Sequence, residues 1–168
     1  MKKKKMQESF TRLKREGLFY VPFRMKRIIV ENIGPIKKLD IFLKDINLIL
    51  GKGGSGKSIL LRLIHNIGNH HPLHCKDMIT QGKKRGKIRL ELAENIRNIE
   101  YLFYTDSQNN EQYQSNIESK CFLVDDALSY SDSPKKVLDY LKRFNSQIII
   151  TCRELPNISL IGVKIIRI

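Results

Sequence analysis

The apolar positions from residue 25 onward predict a series of short strands. Residues 25–33 and 37–43 flank a turn at Gly34-Pro35, and residues 46–50 (INLIL) form an apolar stretch typical of a strand buried inside a sheet. Further strands are predicted at residues 87–93, 99–105, 121–124 and 146–151, and a closing pair at 158–168 around Gly162.

Two helices are predicted between these strands. In residues 58–68 the apolar positions 59, 60, 61, 63, 64 and 67 cover most of a helical surface, and Gly68 is suited to the helix end. A second helix is expected over 134–144, with Pro134 in its first turn. This order of elements predicts an α/β fold with a mostly parallel sheet, flanked by helices and bearing antiparallel strands at its edge.

The first 22 residues differ from the rest and are expected to be a basic extension. They start with a lysine run, MKKKK, and contain a stretch that could form a short helix ending at Gly17. The folded domain is expected to span residues 23–168. Since a length of 168 residues suits one domain with its own core, a second full domain is not expected.

The strongest chemical signal is the segment GKGGSGKS, which matches the P-loop pattern GxxxxGK[ST] between a buried strand and a helix. Its glycines allow backbone N–H groups to turn around phosphate oxygens. Lys57 would supply charge to the β- and γ-phosphates, and Ser58 a hydroxyl to Mg²⁺. The segment predicts a site for ATP with Mg²⁺, formed by Gly51, Lys52, Gly53, Gly54, Ser55, Gly56, Lys57 and Ser58.

A second chemical signal follows the apolar stretch 121–124, which leads directly into Asp125 and Asp126. This is a Walker B pattern. Asp125 is predicted to reach the Mg²⁺ held by Ser58, and Asp126 to polarise the attacking water as the catalytic carboxylate.

Together these segments resemble the ABC-type ATPase heads of the SMC/RecF group. The stretch KRIIVENIGPIKKLDIFLKDINLILGKGGSGKS is similar to the strand pair and P-loop that open such heads, CFLVDDALS to their Walker B and D-loop, and SQIIITCRE to the strand before their switch residue. The resemblance covers most of residues 25–155. It implies an ABC ATPase-like P-loop fold and a nucleotide-dependent switch.

The chain departs from that family at several catalytic positions. Gly53 stands where the family usually has Asn, and Asp126 where it usually has Glu, which is one methylene longer. The family's switch His falls on Cys152 or Arg153, depending on register. Slow hydrolysis is therefore expected, because a water placed for Glu would lie too far from the Asp126 carboxylate.

Two further family features are missing or displaced. The glutamine that usually ends the strand at 99–105 falls on Tyr104, although Gln108 lies four residues on. Between Ser107 and Cys121 there is no glycine and hence no LSGGQ-like signature. That signature binds ATP across a dimer in the family, so a homodimer is left open. Residues 59–120 contain no coiled-coil heptads.

The charge of the chain adds a partner to this interpretation. The formal net charge is +14, and residues 1–27 hold ten Lys or Arg against two Glu. Such a basic segment predicts an acidic partner, either nucleic acid or an anionic membrane surface. Nucleic acid is preferred, since no amphipathic helix with a wide apolar face accompanies the lysines. Phe10, Phe19 and Tyr20 are candidate stacking partners for unpaired bases.

The remaining composition points to a cytoplasmic protein. Apolar residues make up 41% of the chain, but no apolar run approaches the ~18 residues of a membrane span, and no secretory signal follows the lysine run. Three widely spaced cysteines without CxxC argue against a disulfide framework. A cluster of His65, His70, His71, His74 and Cys75 fits no standard zinc spacing, and a polar surface loop is preferred there.

Three functional hypotheses follow from these signals. The first is an ATP-dependent switch of the SMC/RecF kind that acts on or near nucleic acid with slow hydrolysis. The second is a small P-loop kinase, which would need an Arg-rich lid, whereas arginines beyond Pro134 are few. The third is a regulatory or assembly subunit that binds ATP structurally and docks to a larger ATPase, as the missing signature favours.

Overall fold

The computed structural model describes residues 18–69, 78–93, 98–104, 121–126, 138–139, 141–143 and 145–168. They form an α/β structure with nine strands in two sheets and one long helix. In chain order these elements are β1 (Leu18–Val21), β2 (Met25–Ile33), β3 (Ile36–Phe42), β4 (Ile46–Leu50), α1 (Lys57–Gly68), β5 (Arg85–Leu92), β6 (Ile99–Tyr104), β7 (Cys121–Val124), β8 (Gln147–Cys152) and β9 (Lys164–Arg167).

The first sheet has five strands in the order β1-β7-β8-β4-β9. The pairs β7–β8, β8–β4 and β4–β9 are parallel, and β1 lies antiparallel at the edge beside β7. Apolar side chains from β4 and β8 enter one core cluster on each face of this sheet. Burial on both faces explains why these strands are nearly continuous apolar runs in the sequence.

The second sheet has four antiparallel strands in the order β3-β2-β5-β6. β5 buries every second residue and carries charged side chains between them, and β2 buries four residues at spacings of two or three with mostly charged residues between them. Ion pairs join these side chains across the strands, including Arg27 with Asp40 at 2.7 Å and Lys87 with Glu100 at 2.7 Å. The alternating pattern thus belongs to a sheet with one face on the core and one in solvent.

A mixed α/β architecture with parallel strands was predicted, but the antiparallel strands are arranged differently than expected. They were expected as an edge of the parallel sheet, whereas β2, β3, β5 and β6 form a separate sheet. Buried Gln147 of β8 links this sheet to the first: its side-chain amide accepts from the Met25 N–H at 2.8 Å and donates to the Met25 carbonyl at 2.7 Å. Which of the two sheets a strand joins depends on tertiary packing, which the local sequence pattern does not show.

Helix α1 packs against both sheets through its apolar face. Leu60, Leu61, Leu63 and Ile64 are fully buried in the main core cluster, together with side chains of β2, β5 and β7. The β2–β3 turn lies close to the helix, since a Cβ on Gly34 would come within 2.8 Å of Ile59 Cδ1. The predicted helix after GKGGSGKS is confirmed, and it is held in place on the sheet that carries the segment.

The closing pair of strands predicted at 158–168 is wrong. Only Lys164–Arg167 is a strand, and it pairs parallel to β4 at the sheet edge. Ile158, Leu160 and Val163 instead pack against the core cluster on the outer face of the first sheet. Their apolar character reflects this packing and not strand pairing.

The described part of the chain begins with a strand that precedes Phe23. Leu18–Val21 already pairs with β7, and Val21 is fully buried. Phe19, considered above as a partner for bases, packs on the core with its ring centroid 4.9 Å from that of His65. A short edge strand next to a lysine-rich segment has little periodicity of its own to mark it.

Some predictions fall outside the described residues. These are the extension before residue 18, most of the helix over 134–144, and the stretch 105–120 that contains Gln108. Of the second helix, Leu138, Asp139 and Leu141 are helical, and the Lys142 N–H donates to the Leu138 carbonyl at 2.9 Å. In the described part of the chain no helix is long and apolar enough to cross a membrane.

Candidate nucleotide-binding site

The candidate site lies where three parallel strands end. β4 continues into residues 51–58, β7 into Asp125 and Asp126, and β8 ends at Cys152. The register pairs Leu50 with Cys152 and Val124 with Ile150, so the residues after these strands meet at one edge. Crevices outside the carboxyl ends of strands are the usual ligand sites of open α/β sheets.

The segment Gly51–Ser58, called the P-loop below, follows β4 with a compact turn and ends in the first two residues of α1. Its first N–H, from Gly51, donates to the Cys152 carbonyl at 3.2 Å, and the Ser55 N–H donates to the Lys52 carbonyl at 3.2 Å. Gly54 and Gly56 have φ angles of +78° and +98°. Glycine adopts such angles readily while other residues rarely do, which explains these two positions of the motif.

The side chain of Lys57 contacts the start of the P-loop. Its Nζ donates to the carbonyls of Gly51 and Lys52, the latter at 2.9 Å, and lies 3.3 Å from Ser55 Oγ. The residue is only 8% exposed. These three acceptors are neutral, and an ammonium group binds more strongly to an anionic oxygen. The buried charge therefore suits an incoming phosphate.

The space around the P-loop glycines differs from position to position. A Cβ on Gly51 would come within 2.4 Å of Ser55 Oγ, and a Cβ on Gly56 within 2.7 Å of Ile36 Cγ1. A Cβ on Gly53 or Gly54 would meet no atom within 4 Å. The outer glycines thus fit against the protein, and the inner ones border open space.

Across from the P-loop a cleft is lined by Asp125, Asp126 and Arg153, and we call these three residues and the buried Thr151 the β7–β8 side. Thr151 is fully buried, and its Oγ1 donates to Asp125 Oδ1 at 2.6 Å. Thr151 Oγ1 also accepts from the Asp126 N–H at 3.0 Å. Both predicted acids are therefore connected to one hydroxyl.

Arg153 lies beside the second acid. Its Nε is 3.7 Å from Asp126 Oδ2, and its side chain is 69% exposed. Of the two residues considered for the family's switch position, Cys152 is 2% exposed at the end of β8, whereas Arg153 lines the cleft. Because the guanidinium side of this pair is in solvent and the contact is long, the pair contributes little to stability.

The P-loop and the β7–β8 side enclose a cleft of about 350 Å³. Ser58 lines it together with Asp125 and Asp126, and Pro35 of the β2–β3 turn borders it. The structure thus brings residues 53–58 and the two acids to one cavity, whereas Gly51 and Lys52 are not among the residues that line it. A volume of this size is within the range of small-molecule sites.

The residues present fit a nucleotide with a divalent cation. Lys57, the open positions at Gly53 and Gly54, and the N-terminal end of α1 are suited to phosphate oxygens. The Ser58 hydroxyl and the Asp125 carboxylate are hard oxygen donors of the kind Mg²⁺ prefers. A bound cation would supply positive charge for the phosphates at that point.

Thr151 is the functional candidate that the sequence analysis missed. It was read only as part of a buried strand, residues 146–151. A signal was available, since a hydroxyl residue interrupts an otherwise apolar strand immediately before its carboxyl end. Its two hydrogen bonds to residues 125 and 126 depend on β7–β8 pairing, which local pattern does not specify.

One histidine of the predicted cluster, His65, lies within the described residues. His65 lies in α1 next to Phe19, whereas His70, His71, His74 and Cys75 lie outside the described residues. Within the described ranges, no group of three or more His, Cys, Asp or Glu is arranged to hold a metal ion. Tyr104 ends β6, which belongs to the second sheet, and Gln108 is outside the described part.

A comparison with models of known protein families found no match, and a comparison with curated proteins found none either. Among solved structures, the chain is similar to "Structure of the recombination mediator protein RecF-ATPrS in RecFOR pathway", with 21% identity and a TM-score of 0.43 over 52% of this chain. It is also similar to "Structure of the recombination mediator protein RecF-ATP in RecFOR pathway", with 22% identity and a TM-score of 0.43 over 53%. The chain spans about a quarter, 26%, of each of those proteins.

Proposed function

We propose that this protein binds ATP with Mg²⁺ through the P-loop and acts as a nucleotide-dependent switch of the ABC, SMC/RecF-like type on or near nucleic acid, with slow hydrolysis. The observation that carries the proposal is the shared cleft of the P-loop and the two acids Asp125 and Asp126. Two motifs separated by more than 60 residues in the chain contribute side chains suited to phosphate and to Mg²⁺ to the same cavity. Such convergence is what a nucleoside triphosphate requires.

Each group would have a defined part in nucleotide binding. The P-loop N–H groups and Lys57 would hold the phosphates, and Ser58 and Asp125 would hold Mg²⁺. Asp126 would orient the attacking water, but its side chain is short for that task and lies next to Arg153. Slow turnover follows, because a water held at the wrong distance from its base reacts poorly.

The nucleic-acid part of the proposal rests on charge. On the outer face of the second sheet, basic residues alternate with acidic ones, as in the pairs Arg27–Asp40 and Lys87–Glu100. That face therefore does not account for the net charge of +14. The lysines at positions 2–5, which lie outside the described residues, are the preferred contact for phosphate groups.

The test measures ATP binding and turnover with and without DNA. Calorimetry should detect Mg²⁺-dependent ATP binding, and phosphate release should be far below the ~10 s⁻¹ typical of enzymes. Fluorescence anisotropy across a salt series should show DNA binding that weakens with a log–log slope near about −0.9 per phosphate contacted. Removal of residues 2–5 should flatten that slope.

Flotation with anionic liposomes is the control for the choice of partner. Strong liposome binding without a DNA signal at low salt would contradict the nucleic-acid role. An unchanged slope after the truncation would move the contact to another part of the domain.

A docking role is the second candidate. The stretch 107–121 lacks the signature that would supply ATP contacts in trans, which favours a partner that provides them. Co-purification of a larger ATPase with the tagged protein, reduced in a Lys57→Ala variant, would favour this candidate over a switch that acts alone.

A further inference from the structure

Thr151 has an environment that its strand neighbours do not share. It is fully buried on β8, at the edge where β8 meets the end of β7. Its hydroxyl contacts Asp125 Oδ1 at 2.6 Å and the Asp126 N–H at 3.0 Å. A hydroxyl has one proton to donate and two lone pairs. Since the backbone N–H can only donate, the hydroxyl proton belongs to the bond with Asp125.

The bond to Asp125 restricts that carboxylate. An ionised carboxylate is an acceptor only, and a short bond to a hydroxyl fixes the direction of Oδ1. The side chain of Asp125 lines the cleft together with Ser58. The hydrogen bond from Thr151 therefore restricts the rotation of this side chain and the direction of its second oxygen.

The bond to the Asp126 N–H acts on the backbone. Asp126 has a φ angle of +50°, in the left-handed region that few non-glycine residues adopt. The Thr151 oxygen accepts from the N–H of this same residue, so it holds the turn that directs Asp126 toward Arg153. One hydroxyl thus acts on the side chain of the first acid and on the backbone of the second.

We propose that Thr151 is a positioning residue that joins Asp125 and Asp126 into one unit and makes nucleotide binding dependent on Mg²⁺. This inference rests on the function proposed above, because it assigns Asp125 to the metal. Groups that orient a metal ligand through a hydrogen bond typically contribute about 10–100-fold to metal affinity. Removal of the hydroxyl should therefore weaken the Mg²⁺ contribution and leave the P-loop contacts intact.

The experiment compares ATP affinity in Mg²⁺ and in EDTA for wild type, Thr151→Val and Thr151→Ser. Valine keeps the branched shape without the hydroxyl, and serine keeps the hydroxyl without the methyl group. Thr151→Val should lose at least about tenfold of the affinity gained from Mg²⁺ and match wild type in EDTA. Thr151→Ser should recover most of the Mg²⁺ gain, which a merely structural role would not produce.

Two results would overturn the inference. An unchanged Mg²⁺ gain in Thr151→Val would show that the hydroxyl does not orient the metal ligand. An equal loss in Mg²⁺ and in EDTA would show a general structural role. If Thr151→Val does not fold, Thr151→Ala, which also removes the hydroxyl, serves in its place with the same two criteria.

Failure of the proposed function would look different. Wild type would then bind no ATP in either condition, or Lys57→Ala would bind as well as wild type. Retained P-loop binding with an unchanged Mg²⁺ gain in the Thr151 variant would affect the inference alone.

Discussion

The two sides of the cleft are built in different ways. The P-loop is one continuous stretch, Gly51–Ser58, in which backbone geometry and a single lysine create the phosphate-binding features. The β7–β8 side takes two acids from one strand end and a threonine and an arginine from another, about 25 residues away. The first side is local in sequence, whereas the second depends on parallel strand pairing.

This difference predicts how each side responds to substitution. On the P-loop, backbone conformation should matter more than side chains, apart from Lys57. On the β7–β8 side, hydrogen bonds between side chains should set the geometry, so changes there should alter metal dependence or turnover more than nucleotide affinity.

The largest effect is expected for Lys57→Ala. The ammonium group would make more than one charge-assisted bond to the phosphates, each contributing about 1.5–3 kcal/mol, so ATP affinity should fall by at least about 100-fold. Lys84→Ala is the matched control, because Lys84 is exposed and does not line the cleft. Calorimetry measures the affinity, and circular dichroism verifies folding. Equal affinity in Lys57→Ala and wild type would contradict the site.

A second prediction separates glycines of the same loop. Gly56→Ala should lower the free energy of unfolding by about 1–3 kcal/mol, since the φ angle is +98° and the added Cβ would lie 2.7 Å from Ile36 Cγ1. Gly53→Ala should change it by less than about 0.5 kcal/mol, because its Cβ would meet nothing within 4 Å. Urea unfolding of both variants tests the contrast. Similar destabilisation of the two variants would mean that the positive φ angle and the close contact at Gly56 do not raise the cost of an added side chain.

The third prediction concerns the β7–β8 side. Asp126→Glu should raise the slow ATP turnover a few-fold, since the longer side chain reaches further toward a water. The gain is limited because a φ angle of +50° is tolerated less well by Glu than by Asp. Asp126→Asn is the control and should not accelerate phosphate release. A wild-type rate near ~10 s⁻¹ would show that the acid is already well placed.

The smallest effect is expected for Gly53→Asn, which introduces the residue usual in the resembling family. The position faces open space and its φ angle is not positive, so stability should stay within about 0.5 kcal/mol of wild type. ATP affinity should also be retained. A large loss measured by calorimetry would indicate that the side chain at 53 lies against the phosphates, and that the P-loop is not purely a backbone site.

Cys121 is a buried cysteine whose reactivity depends on the fold. In the sequence it counts only as one of three widely spaced cysteines, which argue against a disulfide framework. In the fold, burial raises the pKa of Cys121 well above its ordinary value. We expect Cys121 to resist alkylation in the native protein at pH 8 and to react after unfolding in urea, because the thiolate is the reactive form.

Much of the local structure was predictable because strands and helix carry their own periodicity. β2 through β8 fall within a few residues of the predicted segments, and α1 follows the P-loop as expected. β1 was not foreseen, and of the closing pair predicted around Gly162 only the second strand is present, as β9; both β1 and β9 are four residues long. At that length, pairing with a neighbour decides the conformation.

The sequence alone was sufficient to predict the P-loop, because eight consecutive residues contain both the flexible backbone and the charge that phosphates require. Only the tertiary structure separated the antiparallel strands into a second sheet and joined Thr151 to Asp125 and Asp126. It also selected Arg153 over Cys152 as the residue that lines the cleft. The physical reason is that contacts between distant strands depend on register and burial on both faces of a sheet, which no local pattern encodes.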